Sequence, residues 1–214
     1  MNILNSIKFK YKRRTILLDI YEKIVVFMIK YRIINAEDKE IYKYGFELLL
    51  ADLFNLSVML FIGVIVNQFY STILYIIIFI GMRSFCGGYH AKTHLRCHIC
   101  TIGIYIVFLV ILLNFNRFEN KMLLILFGNF IAAIPITVFS PIQNPNKPLS
   151  EILYKRNRII SIILFFFLMF ISIIMEFFKR KEGIIISLTL CIVSCCMIPA
   201  INIHSFIKRK EDSI

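Results

Sequence analysis

FYSTILYIIIFIGMRSFCGGYHAKTHLRCHICTIGIYIVFLVILLNF, residues 69–115, sets two apolar runs around one polar island. The runs are 69–82 and 101–115. The island, 81–100, holds three of the chain's four histidines and three of its six cysteines. A chain that leaves an apolar run, passes a short polar stretch and enters another apolar run reads as two membrane spans joined at the surface. A full span needs about 20 residues. Both runs are shorter, so they must tilt, recruit flanking residues or be partly re-entrant.

Further apolar runs lie on either side. They are 45–66, 122–142 with Pro135 and Pro141 near its end, 159–178, and 184–203 with Pro199 near its end. Hydrophobic residues make up 59% of the 214, and mean hydropathy is +0.78. Soluble domains are about 45–50% apolar. The expected fold is therefore all-α: a polytopic membrane protein of about six transmembrane helices, without internal repeats.

Residues 1–44 are the most soluble part. Leu17, Ile20, Ile24, Phe27, Met28 and Tyr31 recur at helical spacing, and Lys23, Lys30 and Arg32 fall mostly off that stripe. An amphipathic segment on the membrane surface fits, as does a helix packed on the protein's own cytoplasmic face. The basic opening MNILNSIKFKYKRR is not followed by a short apolar core with a small-residue cleavage site, so it does not read as a signal peptide. Three parts are expected: 1–44, a membrane domain 45–203, and a tail 204–214.

The net charge is +12. In a chain this apolar, such a balance points to cytoplasmic loops and anionic lipid headgroups, with no nucleic-acid partner. With both termini in the cytoplasm, the inner segments 1–44, 83–100, 143–158 and 204–214 carry 20 of the 25 Lys and Arg. That orientation puts the protein in the cell membrane as a multi-pass chain, with the island facing the cytoplasm. KRKEG at 179–183 breaks the pattern locally. A reducing compartment keeps cysteines as thiols. Cys191, Cys195 and Cys196 lie in an apolar run, where cysteine behaves as a small hydrophobe.

The island admits three chemistries. His90, His94 and His98 are spaced i, i+4, i+8, and Cys86, Cys97 and Cys100 add metal-ligand chemistry. No HExxH is present, and no acidic residue lies between 53 and 118 to serve as a local base. Cys97 and Cys100 form C-x-x-C, without the βαβ surroundings of a thioredoxin-like site. The third chemistry is a cysteine nucleophile with a histidine base. Arg83, Lys92 and Arg96 make the island electropositive, which favours a thiolate. Gly87 and Gly88 permit a tight turn or close backbone approach, and backbone N–H groups there can face an oxyanion. On a straight helix His94 and Cys97 are neighbours, whereas His90 and Cys97 stand about 10.5 Å apart along the axis. Geometry alone leaves the choice of histidine open.

Arg83, Gly88, His90 and Cys97 fall in the pattern R-x4-GGYHA-x5-C. A second island has Pro141, then Asn146-Lys147-Pro148-Leu149, then Lys155, Arg156 and Arg158. Taken in this order, the two resemble the accessory gene regulator B (AgrB) family of membrane cysteine endopeptidases in Gram-positive quorum sensing. Length, the soluble start and the multi-span layout fit as well. The resemblance implies Cys97 as nucleophile and His90 as base, with Arg83, Gly87 and Gly88 in support. It implies an AgrD-like propeptide with an acidic C-terminal tail as substrate, gripped by Lys147, Lys155, Arg156 and Arg158. A homodimer, membrane lipids as partners and no cofactor are also implied. Pro145 and Asn146 stand where some members carry more lysines. Glu47 and Asp52 are candidates for a third catalytic partner, because acids inside a span are costly. Both can equally sit near the membrane surface and pair with a loop cation. The competing classes are a metal-binding membrane protein and a peptide transporter. A transporter needs polar residues across several spans and paired broken helices.

Overall fold

The structure is a computed structural model and describes residues 23–87, 94–117, 119–142 and 150–211. It is an all-α membrane protein. The described helices are α1 (23–30), α2 (Lys39–Ile65), α3 (Phe69–Cys86), α4 (His94–Asn114), α5 (Lys121–Phe139), α6 (Glu151–Phe177) and α7 (Lys181–Glu211). Short 3-10 turns occupy Ala36–Asp38 and Phe115–Arg117. The chain divides into two compact units, Met1–Asn55 and Leu56–Ile214.

In the first unit, Val25 and Ile34 are buried. The described members of the expected apolar stripe mostly face outward: Ile24, Phe27 and Tyr31 are exposed, and Met28 is half-buried. The Phe27 and Tyr31 rings lie 4.5 Å apart, one turn from each other on the same face. Leu17 and Ile20 lie outside the described residues.

In the second unit, α7 packs against α3, α4, α5 and α6. Its Ile185, Leu190, Val193 and Met197 are almost fully enclosed. The opposite arrangement holds on the outer helices, where Phe127, Phe130, Phe166, Phe167 and Phe170 point away from the bundle. Broad apolar exposure of this kind suits lipid as the solvent. Among the described residues four helical segments are long and apolar enough to cross a membrane: Phe69–Cys86, Lys121–Phe139, Glu151–Phe177 and Lys181–Ile198. Leu49–Ile65 and His98–Asn114 are shorter apolar helices.

Helix ends depart from the runs read in the sequence, and the reason is length. The apolar run 69–82 is too short to span, so α3 continues through Arg83 to Cys86 and buries Met82 and Cys86. The run 101–115 is extended the other way, and α4 is described from His94. Likewise α6 starts at Glu151, eight residues before the expected 159, capped by the Ser150 hydroxyl, which accepts from the Leu153 N–H at 3.4 Å. Much of what was expected to be cytoplasmic, 83–100 and 143–158, is therefore helix.

Small and hydroxylated residues hold the bundle together. A Cβ on Gly63 would meet the Thr72 hydroxyl and stand 3.2 Å from the Tyr105 oxygen. Thr72 and Tyr105 share a 2.7 Å hydrogen bond, which fixes α3 on α4. Beside it, the Tyr75 ring packs on Phe108 at 4.4 Å and on Phe79 at 5.3 Å. Deeper in α5, the buried Asn129 donates to Ser172 on α6 and accepts from Ser187 on α7, both at 2.9 Å. Thr72, Tyr105, Asn129, Ser172 and Ser187 each find a partner inside the protein, as a hydrocarbon surrounding demands.

Three helices end alike. After α1, α2 and α6 the chain turns through a left-handed residue: Arg32 (φ 55°), Asn67 (φ 54°) and Lys179 (φ 55°). In each case the next N–H reaches back five residues: Ile33 to Met28, Gln68 to Gly63, and Arg180 to Met175. This is the Schellman arrangement, which caps otherwise unpaired carbonyls. It gives Lys179 and Arg180, just past the end of α6, a structural use, since cations are favoured at a helix C-terminus. The left-handed conformation costs a residue with a Cβ about 1–2 kcal/mol. Lys179→Gly is therefore expected to raise the stability of the detergent-solubilised protein by about 1 kcal/mol, read as a higher melting midpoint.

Candidate catalytic segment

Short connections at 66–68, 115–120 and 178–180 join α2 to α3, α4 to α5, and α6 to α7. Helices joined so briefly run antiparallel. The connections α3–α4 and α5–α6 leave from the ends of α3 and α5, which meet at Cys86 and Ile142. These are the two polar segments singled out in the sequence.

They touch. The Ile142 N–H donates to the Cys86 carbonyl at 2.9 Å, and Gly87 and Ile142 form an isolated parallel bridge. Gly87 caps α3 with its own N–H on the Arg83 carbonyl at 3.0 Å. Its φ of 72° lies in the left-handed region, and a Cβ there would run into the Ile142 carbonyl. Just before the contact, the Ser140 and Ser161 hydroxyls meet at 2.7 Å, and Ser161 donates to the Arg158 carbonyl at 2.9 Å. Ser140 and Ser161 are both buried. The segment running from α5 into α6 is thus held at its base to α6 and to the end of α3.

The residues singled out from the sequence can now be placed. Arg83 is half-buried, and its guanidinium folds back over the Phe79 ring at 5.6 Å from the centroid, toward the bundle interior. Gly87 lies at the junction just described. Gly88 and His90 lie outside the described residues, as does Lys147. Cys97 is the fourth residue of α4, one turn from its start; its side chain lies outside the described set. In the next turn His98 is half-buried and Cys100 exposed. Lys155, Arg156 and Arg158 are exposed on the first two turns of α6. Lys155 pairs with Glu151 at 2.7 Å; both side chains are mostly solvated, so the pair adds little stability. Asp52 is exposed on α2, in the first unit, and the Glu47 side chain lies outside the described set. Among the described residues no three His, Cys, Asp or Glu gather as a metal site. The side chains of His90, His94 and Cys97 are not among them.

Sequence reasoning missed Ile142, Ser140 and Ser161. The first acts through its backbone, which carries no residue signature. The serines sit in runs that read as span or loop. The buried Tyr75 hydroxyl was missed too, and it has no hydrogen-bond partner among the described residues.

The fold is that of an integral membrane protein built as an all-α helical bundle. More narrowly, the chain belongs to the accessory gene regulator B family, whose sequence profile matches residues 21–203. It is 29% identical over 160 residues to accessory gene regulator protein B of Staphylococcus aureus strain MW2, covering 73% of this chain and 81% of that one. It is 29% identical over 116 residues to the protein of the same name from Staphylococcus epidermidis, covering 53% and 57%. The protein of that name from Staphylococcus aureus strain Newman is 25% identical over 166 residues, covering 78% and 85%. No solved structure matches.

Proposed function

We propose that this chain is a membrane cysteine endopeptidase of quorum sensing that trims an AgrD-like propeptide. The observation that carries the reading is the order Arg83, Gly88, His90, Cys97 within the matched family region, with Cys97 in the opening turns of α4. The start of a helix favours negative charge, which suits a thiolate.

The propeptide lies on the inner leaflet. Its acidic tail meets Lys147, Lys155, Arg156 and Arg158, which complement it in charge. The Cys97 thiolate attacks the peptide carbonyl that precedes the tail. His90 takes the thiol proton and passes a proton to the leaving amine. The tail departs and the signal segment remains on Cys97 as a thioester. A cysteine or serine of the propeptide then attacks that thioester and closes a thiolactone or lactone ring, releasing the Cys97 thiol. Water must stay off the acyl-enzyme, and a site at the membrane edge helps exclude it. Exchanging a peptide bond for a thioester is uphill, so loss of the tail or export of the ring must draw the reaction forward. In this reading both termini and the catalytic segment face the cytoplasm, and the chain works as a homodimer.

Co-expression with an acidic-tailed propeptide tests it. Intact masses should show the tail lost and an adduct on the full chain that hydroxylamine removes. A full-length propeptide beside an unmodified chain sinks the proposal. Activity lost to chelators and spared by iodoacetamide moves the assignment to a histidine-bound metal.

A further inference from the structure

We propose that the outward face of α1 docks in the headgroup layer of an anionic phospholipid surface: Ile24, Phe27 and Tyr31 enter the lipid, while Lys23, Lys30 and Arg32 meet its phosphates. The docking does not depend on the peptidase reading.

Two faces of α1 are apolar, and the fold covers only one. At about 100° per residue, Ile24, Phe27 and Tyr31 fall within about 60° of one another. Tyr31 continues the helix, since its N–H donates to the Phe27 carbonyl at 3.1 Å. These three side chains are 36%, 55% and 60% exposed. Val25 stands about 100° round from Ile24 and is fully enclosed. Met28 and Ile29, on Val25's side of the helix, are half-buried. The Val25 face therefore belongs to the interior of the first unit, and the Phe27 face is left open.

Charge indicates what covers the open face. Lys23 and Lys30 are exposed and lie together on the flank of that face away from Val25. Arg32 is exposed at the left-handed turn that ends the helix. An apolar face edged by cations is the pattern of a helix lying in a membrane interface. The lysine and arginine stems run along the apolar boundary, and their heads reach the headgroups. Phe27 and Tyr31, with rings 4.5 Å apart, supply an aromatic pair at the same level. A second copy of the chain would bring the same three cations against these, which repels it.

The chain also holds this face within reach of lipid. Only residues 31–38 separate α1 from α2, which begins at Lys39. Exposed apolar residues resume there at Ile41 and Tyr42 and continue through Leu49, Leu53 and Phe54. Leu49–Ile65 is an apolar helix, and an apolar helix with outward side chains needs hydrocarbon around it. The short tether keeps α1 beside the surface that α2 enters.

The chain contains no tryptophan, which makes the test direct. Phe27→Trp gives the full-length protein a single indole on the open face. It is reconstituted in lipid nanodiscs of phosphatidylcholine, alone or mixed with phosphatidylglycerol. In the anionic discs its emission should be blue-shifted, quenched by lipids brominated on the acyl chains and shielded from acrylamide. In phosphatidylcholine alone the bromolipid quenching should be weaker. Glu37→Trp, at an exposed position in the 3-10 turn, should be quenched by acrylamide in both. Each Lys or Arg at an anionic surface strengthens attachment about fivefold, so Lys23→Gln, Lys30→Gln and Arg32→Gln together should lower the embedded-to-free ratio about 100-fold. Tyr31→Trp repeats the reading if Phe27→Trp does not fold. Acrylamide quenching of Phe27→Trp in both lipids overturns the docking. So does a blue-shifted emission that bromolipids leave unquenched, which means a protein cover: a second copy if the chain alone shows it, the propeptide if it needs added propeptide. Bromolipid quenching that is indifferent to phosphatidylglycerol and to the triple substitution overturns the anionic partner.

Discussion

On the proposed mechanism, Cys97→Ala is expected to leave the propeptide at full length and the chain free of any acyl adduct. Removing a nucleophile that works with a base costs about 10⁴-fold or more in kcat, which puts processing below detection. In the proposed mechanism the imidazole of His90 activates the thiol and protonates the leaving amine, so His90→Ala should lose about 10²–10⁴-fold. Because the two groups act as one unit, the double variant should be no slower than Cys97→Ala alone. Intact mass spectrometry of co-expressed chain and propeptide reads all three. The register of α4 adds a control. His94 is three residues before Cys97 on the same helix, the spacing of neighbours on one face. If His94→Ala abolishes acylation and His90→Ala does not, the base has been misassigned and the thiol has not.

Gly183→Ala should prevent α6 and α7 from closing. A Cβ at Gly183 would stand 2.6 Å from the Ser172 carbonyl oxygen and 2.8 Å from the Glu176 nitrogen. Both are backbone atoms of α6, so no rotamer change relieves the contact. Overpacking ordinarily costs about 1–3 kcal/mol; two fixed backbone atoms push the value to about 3 kcal/mol or beyond. The Asn129–Ser172–Ser187 bonds lie beside this crossing and would be stretched with it. Gly81→Ala and Gly103→Ala make the comparison, because nothing lies within 4 Å of a Cβ at either position. Each removes a flexible residue from a helix interior and should gain about 0.5–1 kcal/mol. Melting midpoints of the three purified variants separate the cases. A Gly183→Ala protein that melts with wild type would mean the α6–α7 crossing is looser than its contacts indicate.

How far the sequence carried depended on which atoms do the work. Apolar runs announce spans because side chains face lipid, and α3, α5, α6 and α7 lie where runs were read. Helix ends were less legible. Arg83, His94 and Arg96 look like loop residues, yet two runs of 14 and 15 residues had to borrow them to lengthen α3 and α4. Polar pairs inside the bundle were not legible at all, since Thr72, Asn129, Ser161 and Ser187 give no hint of their partners. For the candidate site, alternation of spans placed the two polar segments at one end. The contact that joins them uses an N–H and a carbonyl, which every residue but proline supplies. Cys97 and His90 came from a motif, with the pairing supplied by family resemblance, because spacing alone left the choice of histidine open.

The position of α7 also bears on how the protein is made. Ribosomes deliver helices in chain order, and the helix on which α3, α4, α5 and α6 all pack is delivered last. Until α7 arrives, Ser172 and Asn129 lack the Ser187 end of their network, and the faces destined for α7 meet lipid or one another. Before α7 arrives the nascent chain has only the contacts that α5 and α3 make with α6 and α3 makes with α4, and the Gly87–Ile142 junction forms between helices that still lack their centre. A premature stop before residue 181 removes the helix on which α3, α4, α5 and α6 all pack, and with it the centre of the bundle.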